Sequence, residues 1–505
     1  MTEKHDVIII GAGLAALTAA ARLCELGVRD LGVYAASWGG TPFIAAINFV
    51  LPGNPYGDTG DLYYEDMMRA GYGISDKKLV RNMARKSLQG YELLRRWGVE
   101  FAKNLDGSMK LRHLSGHSCP RSLCCTTELI GDVMLKKLIE GLKKYGVEPR
   151  MGVECLDLLS DGKQIAGAWF RGAGGERFCV HAPVVVAGWG GVGNLFGRST
   201  YPPDIKGNTL AMAKDAGAKL VDVEFLEYEP MVVMSPPGAA GEPCPTAMLG
   251  EGAHLLNADG EMFLLKERPQ GEAGAPKSLI NRLIWRQAAA GKGNSNGGVW
   301  VDLRHIDKTV LQAYPWFYNR LVNSGLDPNE SLVEVGPMAH SFSGGIAVDE
   351  GYQSSVSGLY AVGEACGGVH GACRSAGNAA AQAVLSGLQC AESIAAASVP
   401  PAVEVPAADY AADPEVYERY VPRAKALAAD ALGIYRDGTT LQKALDELES
   451  MMGQPCLAKD AEARQILESI ALMVRAALKR KESRGTHLRL DYPETSKEYE
   501  KEFFI

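Results

Sequence analysis

Apolar residues in this chain fall into short continuous runs and longer stretches that repeat every three to four positions. Asp6–Ile10 (DVIII) is a continuous run too short for a helix and predicts a buried strand. LTAAARLCELG behind it has helical spacing, and Asp30–Tyr34 predicts the next strand. Residues 61–105 predict amphipathic helices, most clearly LVRNMARKSLQGYELLRRWGV, with Arg95 and Arg96 solvated. VECLDLLSDGKQIAGAWFRG alternates about an Asp-Gly turn, the pattern of a β-hairpin. LYAV is a short buried strand, and an alanine-rich helix follows Asn378. SIAAASVPPAVEVPAADYAADPE has the Ala/Pro content of a linker, and residues 414–480 predict a helical bundle.

With 505 residues, the chain exceeds what one core organises and suggests two to four domains. Its 47% hydrophobic and 22% charged residues are those of a globular protein, so disorder is not expected. Net charge is −8 without a Lys/Arg block, which argues against nucleic acid as a partner. No run of 18 apolar residues occurs, so no membrane span is expected. Lys4, His5 and Asp6 precede the first apolar run, and no cleavage site follows it; this is a poor secretory signal. The 11 cysteines lack C-x-x-C and zinc spacings. That argues against haem attachment, a resident iron–sulfur cluster, a metal site or a disulfide framework, and makes a reducing, cytoplasmic location the default.

Two stretches carry chemistry. Gly11-Ala12-Gly13-Leu14-Ala15-Ala16, between the first strand and helix, is a G-x-G-x-x-A dinucleotide fingerprint. Its glycines make the turn and admit a pyrophosphate at the helix N-terminus. The second strand ends Tyr34-Ala35-Ala36 without the acid expected for a nicotinamide dinucleotide's ribose. The other stretch runs from Ala339 to Leu385 and contains HSFSGGI, GLYAVGE and HGACRSAGNAA. Glu364 is placed to accept from sugar hydroxyls. Gly344, Gly345, Gly367 and Gly368 let backbone approach a flat ligand, and the helix after Asn378 offers N–H groups to its electron-rich edge. His340 and Arg374 are left to face whatever lies over that ring.

These three blocks, in order, resemble the fumarate reductase and succinate dehydrogenase flavoprotein family, which includes aspartate oxidase. Its pattern is H-x-x-x-G-G-I, G-L-[FY]-A-[VA]-G-E and H-G-A-N-R-L-G-x-N-S-L; Cys373, Ser375-Ala376 and Ala379-Ala380 depart from it. Further resemblances are YPPDIKGNTLAMAKDAGAKLVDVEF, GGVWVDLRHI, Gly433-Ile434-Tyr435-Arg436, Glu482–His487 and Asp491-Tyr492-Pro493. The resemblance implies an α/β fold, a Rossmann-like FAD-binding domain (1–225 and 340–398) with an inserted α+β capping domain (226–339) and a C-terminal helical region (409–505). It implies FAD contacts at Gly11, Gly13, Ala15, Ala16, Gly40, Thr41, Ala46, Asn48, Ala187, Gly188, Gly190, Glu364, Arg374, Gly377, Asn378 and Ala379. Gly39 stands where membrane-bound members tether flavin through a histidine, so the FAD is expected to be noncovalent. GHSCPRSLCC is similar to the G-H-S-x-x-R block of aspartate oxidase, which makes His117 and Arg121 either site residues or parts of a packed loop. Cys119, Cys124 and Cys125 either couple to the flavin or are simply buried.

The departures bear on substrate. Glu229 stands where the family has a substrate-binding His, and Pro245-Thr246 replaces its Thr-Glu pair. Lys277 takes the place of the proton-delivering Arg, with Arg282 the alternative. Retained His340 and Arg374 suffice for one carboxylate or carbonyl. The expected substrate is therefore a small carboxylate or enoate other than fumarate or succinate. The resemblance leaves reduction, desaturation and amine oxidation open. It also leaves open an FAD-binding electron-transfer subunit with an iron–sulfur partner. The terminal KEFFI is either a docking tail or a tail folded on its own surface.

Overall fold

The computed structural model describes residues 2–505 apart from 115, 127–128, 399, 402, 404 and 406–409. Five parallel strands form the central sheet, in the order Leu359–Ala361, Val184–Ala187, Val7–Ile10, Leu31–Ala35, Arg150–Met151. Val7–Ile10 and Val184–Ala187 are buried throughout, as continuous apolar runs between parallel neighbours should be. The helices Leu14–Glu25 and Asn378–Ala396 cross closely: a Cβ on Gly387 would sit 2.4 Å from the Ala15 carbonyl oxygen. The predicted hairpin forms from Glu154–Ser160 and Ile165–Arg171.

A second core, from Met231 to Val335, lies under an antiparallel sheet in the order Leu226–Ser235, Val333–Phe342, Val299–Asp302, His254–Leu256. The helices Pro414–Ala431, Gly438–Met452 and Ala461–Lys479 form the predicted bundle. The expected linker begins later than its composition suggests, because SIAA continues the Asn378–Ala396 helix. Ala/Ser sequences without Pro or Gly carry no stop signal. Seven residues of the rest of that linker, 399, 402, 404 and 406–409, lie outside the described residues.

The KEFFI tail folds back on the molecule. Leu220 and Ile505 exchange both backbone hydrogen bonds, and Asp222 N–H donates to Phe503 O. Phe503 is buried while Phe504 stays exposed. Among the described residues, no helix is long and apolar enough to cross a membrane and no His/Cys/Asp/Glu group has the makings of a metal site.

Candidate flavin and substrate site

The N-terminal cradle begins at the end of the first strand. Gly11 has φ +109°, and a Cβ there would lie 2.3 Å from the Gly188 carbonyl oxygen. Gly188 in turn donates to Ile10 O, so the Ala187-Gly188 turn sits directly against the fingerprint loop. The Leu14–Glu25 helix starts at Gly13 with no side-chain cap of its own; Thr41 Oγ1 accepts from Leu14 N–H at 2.8 Å. Ala15 and Ala16 N–H remain pointed out of the helix start, the arrangement that receives phosphate. Gly190 (φ +84°) continues the cradle, Gly40 is exposed, and Ala46 is half-buried.

A second bare helix start faces the other end. Gly377, at φ +79°, precedes Asn378–Ala396, again without a side-chain cap. Its Cβ would meet Asn48 Oδ1 at 2.6 Å, so only glycine fits. Both helix starts lack caps, and glycine is sterically required beside each. These features fit FAD, whose pyrophosphate and ring edge need backbone N–H groups at close approach. Ala379 N–H is in the first turn of this second helix.

Asn48 and Asn378, both expected to contact the flavin, are tied to protein through their side chains. Both are fully buried, and their amides bond to each other at 2.6 Å. Asn48 also donates to Ala376 O, and Tyr63 O–H donates to Asn378 Oδ1. His117 and Arg121 join this packed network. His117 Nε2 lies 2.8 Å from Ala376 O, and burial pushes its imidazole down to about 4. Arg121 sits between Asp58 (2.7 Å) and Asp66 (2.9 Å), stacked over Tyr63. The group holds the second helix start in place from behind. Cys119 and Cys125 donate separately to Tyr56 O and Glu100 O, and Cys124 is buried; none of the three is in a disulfide among the described residues.

Glu364 is engaged by protein. Its Oε1 accepts from Tyr201 O–H and from Phe342 N–H at 2.8 Å. Burial raises its carboxyl above the ordinary range, against the lowering pull of those donors.

The candidate substrate wall is built on two strands of the second sheet. Glu227 pairs with Ser341 and Tyr228 with Ala339, so His340 is the extra residue of a β-bulge. A bulge re-aims one side chain, here an imidazole. His340 Nδ1 lies 2.9 Å from Thr200 Oγ1, and Nε2 lies 3.7 Å from Glu229 Oε2. Burial pushes His340 down to about 4, only partly offset by Glu229, so the ring is neutral near pH 7.

Lys277 is the first residue of the Lys277–Ala289 helix, and its ammonium pairs with Glu229. The positive end of a helix disfavours a cation, and Glu229 supplies the balancing charge. Burial pushes the Glu229 carboxyl up, but Lys277, His340 and Arg374 together bring it below its ordinary value. Arg282, one turn further on, has neither hydrogen bond nor ion pair among the described residues and influences Tyr72 instead.

Arg374 is buried in the loop before Asn378. Its guanidinium pairs with Glu227 Oε2 at 3.0 Å and donates to Ser341 Oγ at 3.2 Å. Its own backbone N–H also donates to Glu227. Glu227 was not singled out from the sequence, although alternation along a strand places it on the face of Glu229. Thr200, Tyr201 and Ser341 were likewise unmarked.

A family model described as FAD binding domain matches residues 6–380, and one described as fumarate reductase flavoprotein C-term matches residues 424–503. L-aspartate oxidase of Mesorhizobium japonicum is 32% identical, over 96% of this chain and 91% of its own. A fumarate reductase (CoM/CoB) subunit of Methanothermobacter marburgensis is 28% identical, over 99% and 96%. Among solved structures, Mycobacterium smegmatis Sdh1 in complex with UQ1 superposes with a TM-score of 0.86 at 26% identity, covering 99% of this chain and 91% of that one. The bare helix starts, their glycines and these matches agree: the chain belongs to the fumarate reductase and L-aspartate oxidase family of FAD-dependent oxidoreductases.

Proposed function

We propose that this enzyme acts on a C–C double or single bond next to a carbonyl or carboxylate, with a substrate other than fumarate or succinate. The observation that carries the reading is the convergence of His340, Glu229 and Lys277 beside the Arg374–Ser341 contact. When bound, FAD exchanges a hydride with the substrate carbon. His340 and Arg374 hold and polarise the carbonyl oxygen. In this reading the Thr200 O–H donates to His340 Nδ1, 2.9 Å away, which leaves the ring proton on Nε2, available to that oxygen. Lys277 delivers a proton to the carbon beside the carbonyl, and its partly exposed ammonium is restored from solvent. Glu229 orients it.

The same reading takes FAD to be noncovalent. Gly39 offers no tethering atom, and even a Cβ there would meet only Ile205, at 3.9 Å. A flavin adduct in a mass spectrum of denatured protein would refute this. Reducing electrons come from an iron–sulfur or other electron-transfer partner; one relative is itself named as a subunit.

The test is anaerobic. Holoenzyme is reduced and offered fumarate, aromatic acrylates, unsaturated amides and ketones, while the oxidised form is offered L-aspartate. Rapid reoxidation by a compound that is not a dicarboxylate is the expected result. Fumarate turnover comparable to the best of the panel would overturn the substrate assignment. Flavin reduction by L-aspartate alone would make the enzyme an amino-acid oxidase.

A further inference from the structure

Each cation of the substrate wall already has a carboxylate of its own. Arg374 is paired through its guanidinium to Glu227 and receives a second tie from its backbone N–H to the same side chain. Lys277 is paired to Glu229. His340, in the bulge between them, is neutral near pH 7. Two cations, two carboxylates and a neutral imidazole sum to zero. The Cys373 thiol lies beside Glu227 and adds no charge, because burial pushes it up to about 12. Tyr72 on the facing element is raised above its ordinary value by burial and is also neutral. Arg282, half-buried, lies toward Tyr72 and is not among the charges that act on His340, Glu229 or Arg374; Glu364, which does act on Arg374, adds no positive charge.

A site that binds an anionic substrate keeps at least one cation free for it. Here an incoming carboxylate at Arg374 would meet Glu227, 3.0 Å from the guanidinium, and one at Lys277 would meet Glu229. The attraction of each cation is then offset by repulsion from its carboxylate, while the incoming anion still loses its hydration. A neutral oxygen meets no such penalty. It can take the His340 Nε2 proton and a remaining guanidinium N–H without displacing either carboxylate.

We infer that Glu227 is a specificity-determining residue that neutralises Arg374 and restricts this site to uncharged unsaturated carbonyl compounds, amides or ketones rather than acids. This deepens the proposed function and rests on its placement of substrate at His340 and Arg374.

The test uses three probes of one shape and falling charge: fumarate, fumaramate and fumaramide. Their dissociation constants are measured on oxidised holoenzyme by flavin absorbance and calorimetry, without turnover. Fumaramide should bind at least tenfold tighter than fumarate. Glu227→Gln keeps the size and hydrogen bonding of the side chain and frees the charge of Arg374; it should tighten fumaramate and fumarate at least tenfold while moving fumaramide less than threefold. Fumarate binding as tightly as fumaramide to the unaltered protein would overturn the inference, and that result needs no variant to fold. An unchanged fumarate-to-fumaramide ratio in E227Q would also overturn it, as would no binding of any probe to either protein. Failure of every unsaturated compound to reoxidise the reduced enzyme would sink the reductase reading instead, leaving these binding ratios to decide the role of Glu227.

Discussion

At the scale of single residues, the site is decided by what stands next to each retained group. Lys277 differs from an arginine in being a compact point charge, so one carboxylate suffices to aim it. Glu229 is almost wholly buried and is held below its ordinary carboxyl value by the cations around it. Lys277→Met should therefore have two separable effects. Loss of the proposed proton donor should lower kcat by about 10²–10⁴-fold with FAD content unchanged. It should also leave Glu229 without its partner, which costs about 3–5 kcal/mol for a fully buried pair and less here, because the lysine side chain is 39% exposed. Lys277→Arg should recover stability fully and rate in part. Single-turnover kinetics and thermal melts distinguish the two effects; a kcat within threefold of the unaltered enzyme in Lys277→Met would remove Lys277 from the reaction.

At the scale of elements, two turns and one buried network set the cofactor cradle. Gly11→Ala would strain a backbone at φ +109° and drive a methyl to 2.3 Å from the Gly188 carbonyl oxygen. The expected result is purification without flavin and at least about 2 kcal/mol of lost stability, read by absorbance and denaturant melts. Arg121→Met addresses the network. It would strand Asp58, without side-chain exposure, while Asp66 keeps Arg69 and Ser118, and should cost about 3–5 kcal/mol. Tyr63→Phe removes a single bond to Asn378 and should cost about 1 kcal/mol. If Arg121→Met melts like the unaltered protein, the network does not support the helix start. The sequence made the cradle legible because its glycines serve steric needs local to a turn. The Asn48–Asn378 amide pair was not legible, since it joins residues 330 positions apart. Glu227 was half legible: its place beside Glu229 follows from strand period, but its partner comes from a loop 147 residues away. The bulge that turns out His340 is a register property of two strands and leaves no mark on either alone.

At the scale of the whole molecule, the C-terminal region closes over the loop that carries Arg374. Thr486 N–H donates to Ala372 O, and a Cβ on Gly485 would lie 2.2 Å from that same oxygen. Arg480, without exposed surface, pairs with Asp222, Glu224 and Glu482, joining the last helix to the flavin-binding part. The tail continues this seam. Glu502 reaches Gly368, whose carbonyl accepts from Asp76 N–H. Burial, with the Asp76 charge adding to it, pushes the Glu502 carboxyl from 4.5 up to about 7. The sign of the resulting pH dependence follows from proton counting. Below pH 4.5 both folded and unfolded chains hold the proton. Between 4.5 and 7 the folded chain holds a proton that the unfolded chain has released, so this residue's contribution to stability falls as pH rises through that window. Above 7 the loss is complete. Glu502→Gln removes the dependence. After allowance for solvent screening, the variant should be more stable than the unaltered protein by about 1 kcal/mol at pH 8 and equal to it at pH 4, as read by thermal melts at both values. A gain of the same size at both pH values would mean that Glu502 acts through packing rather than charge. No gain at pH 8 would mean that its carboxylate reaches solvent and that the tail does not seal the Arg374 loop.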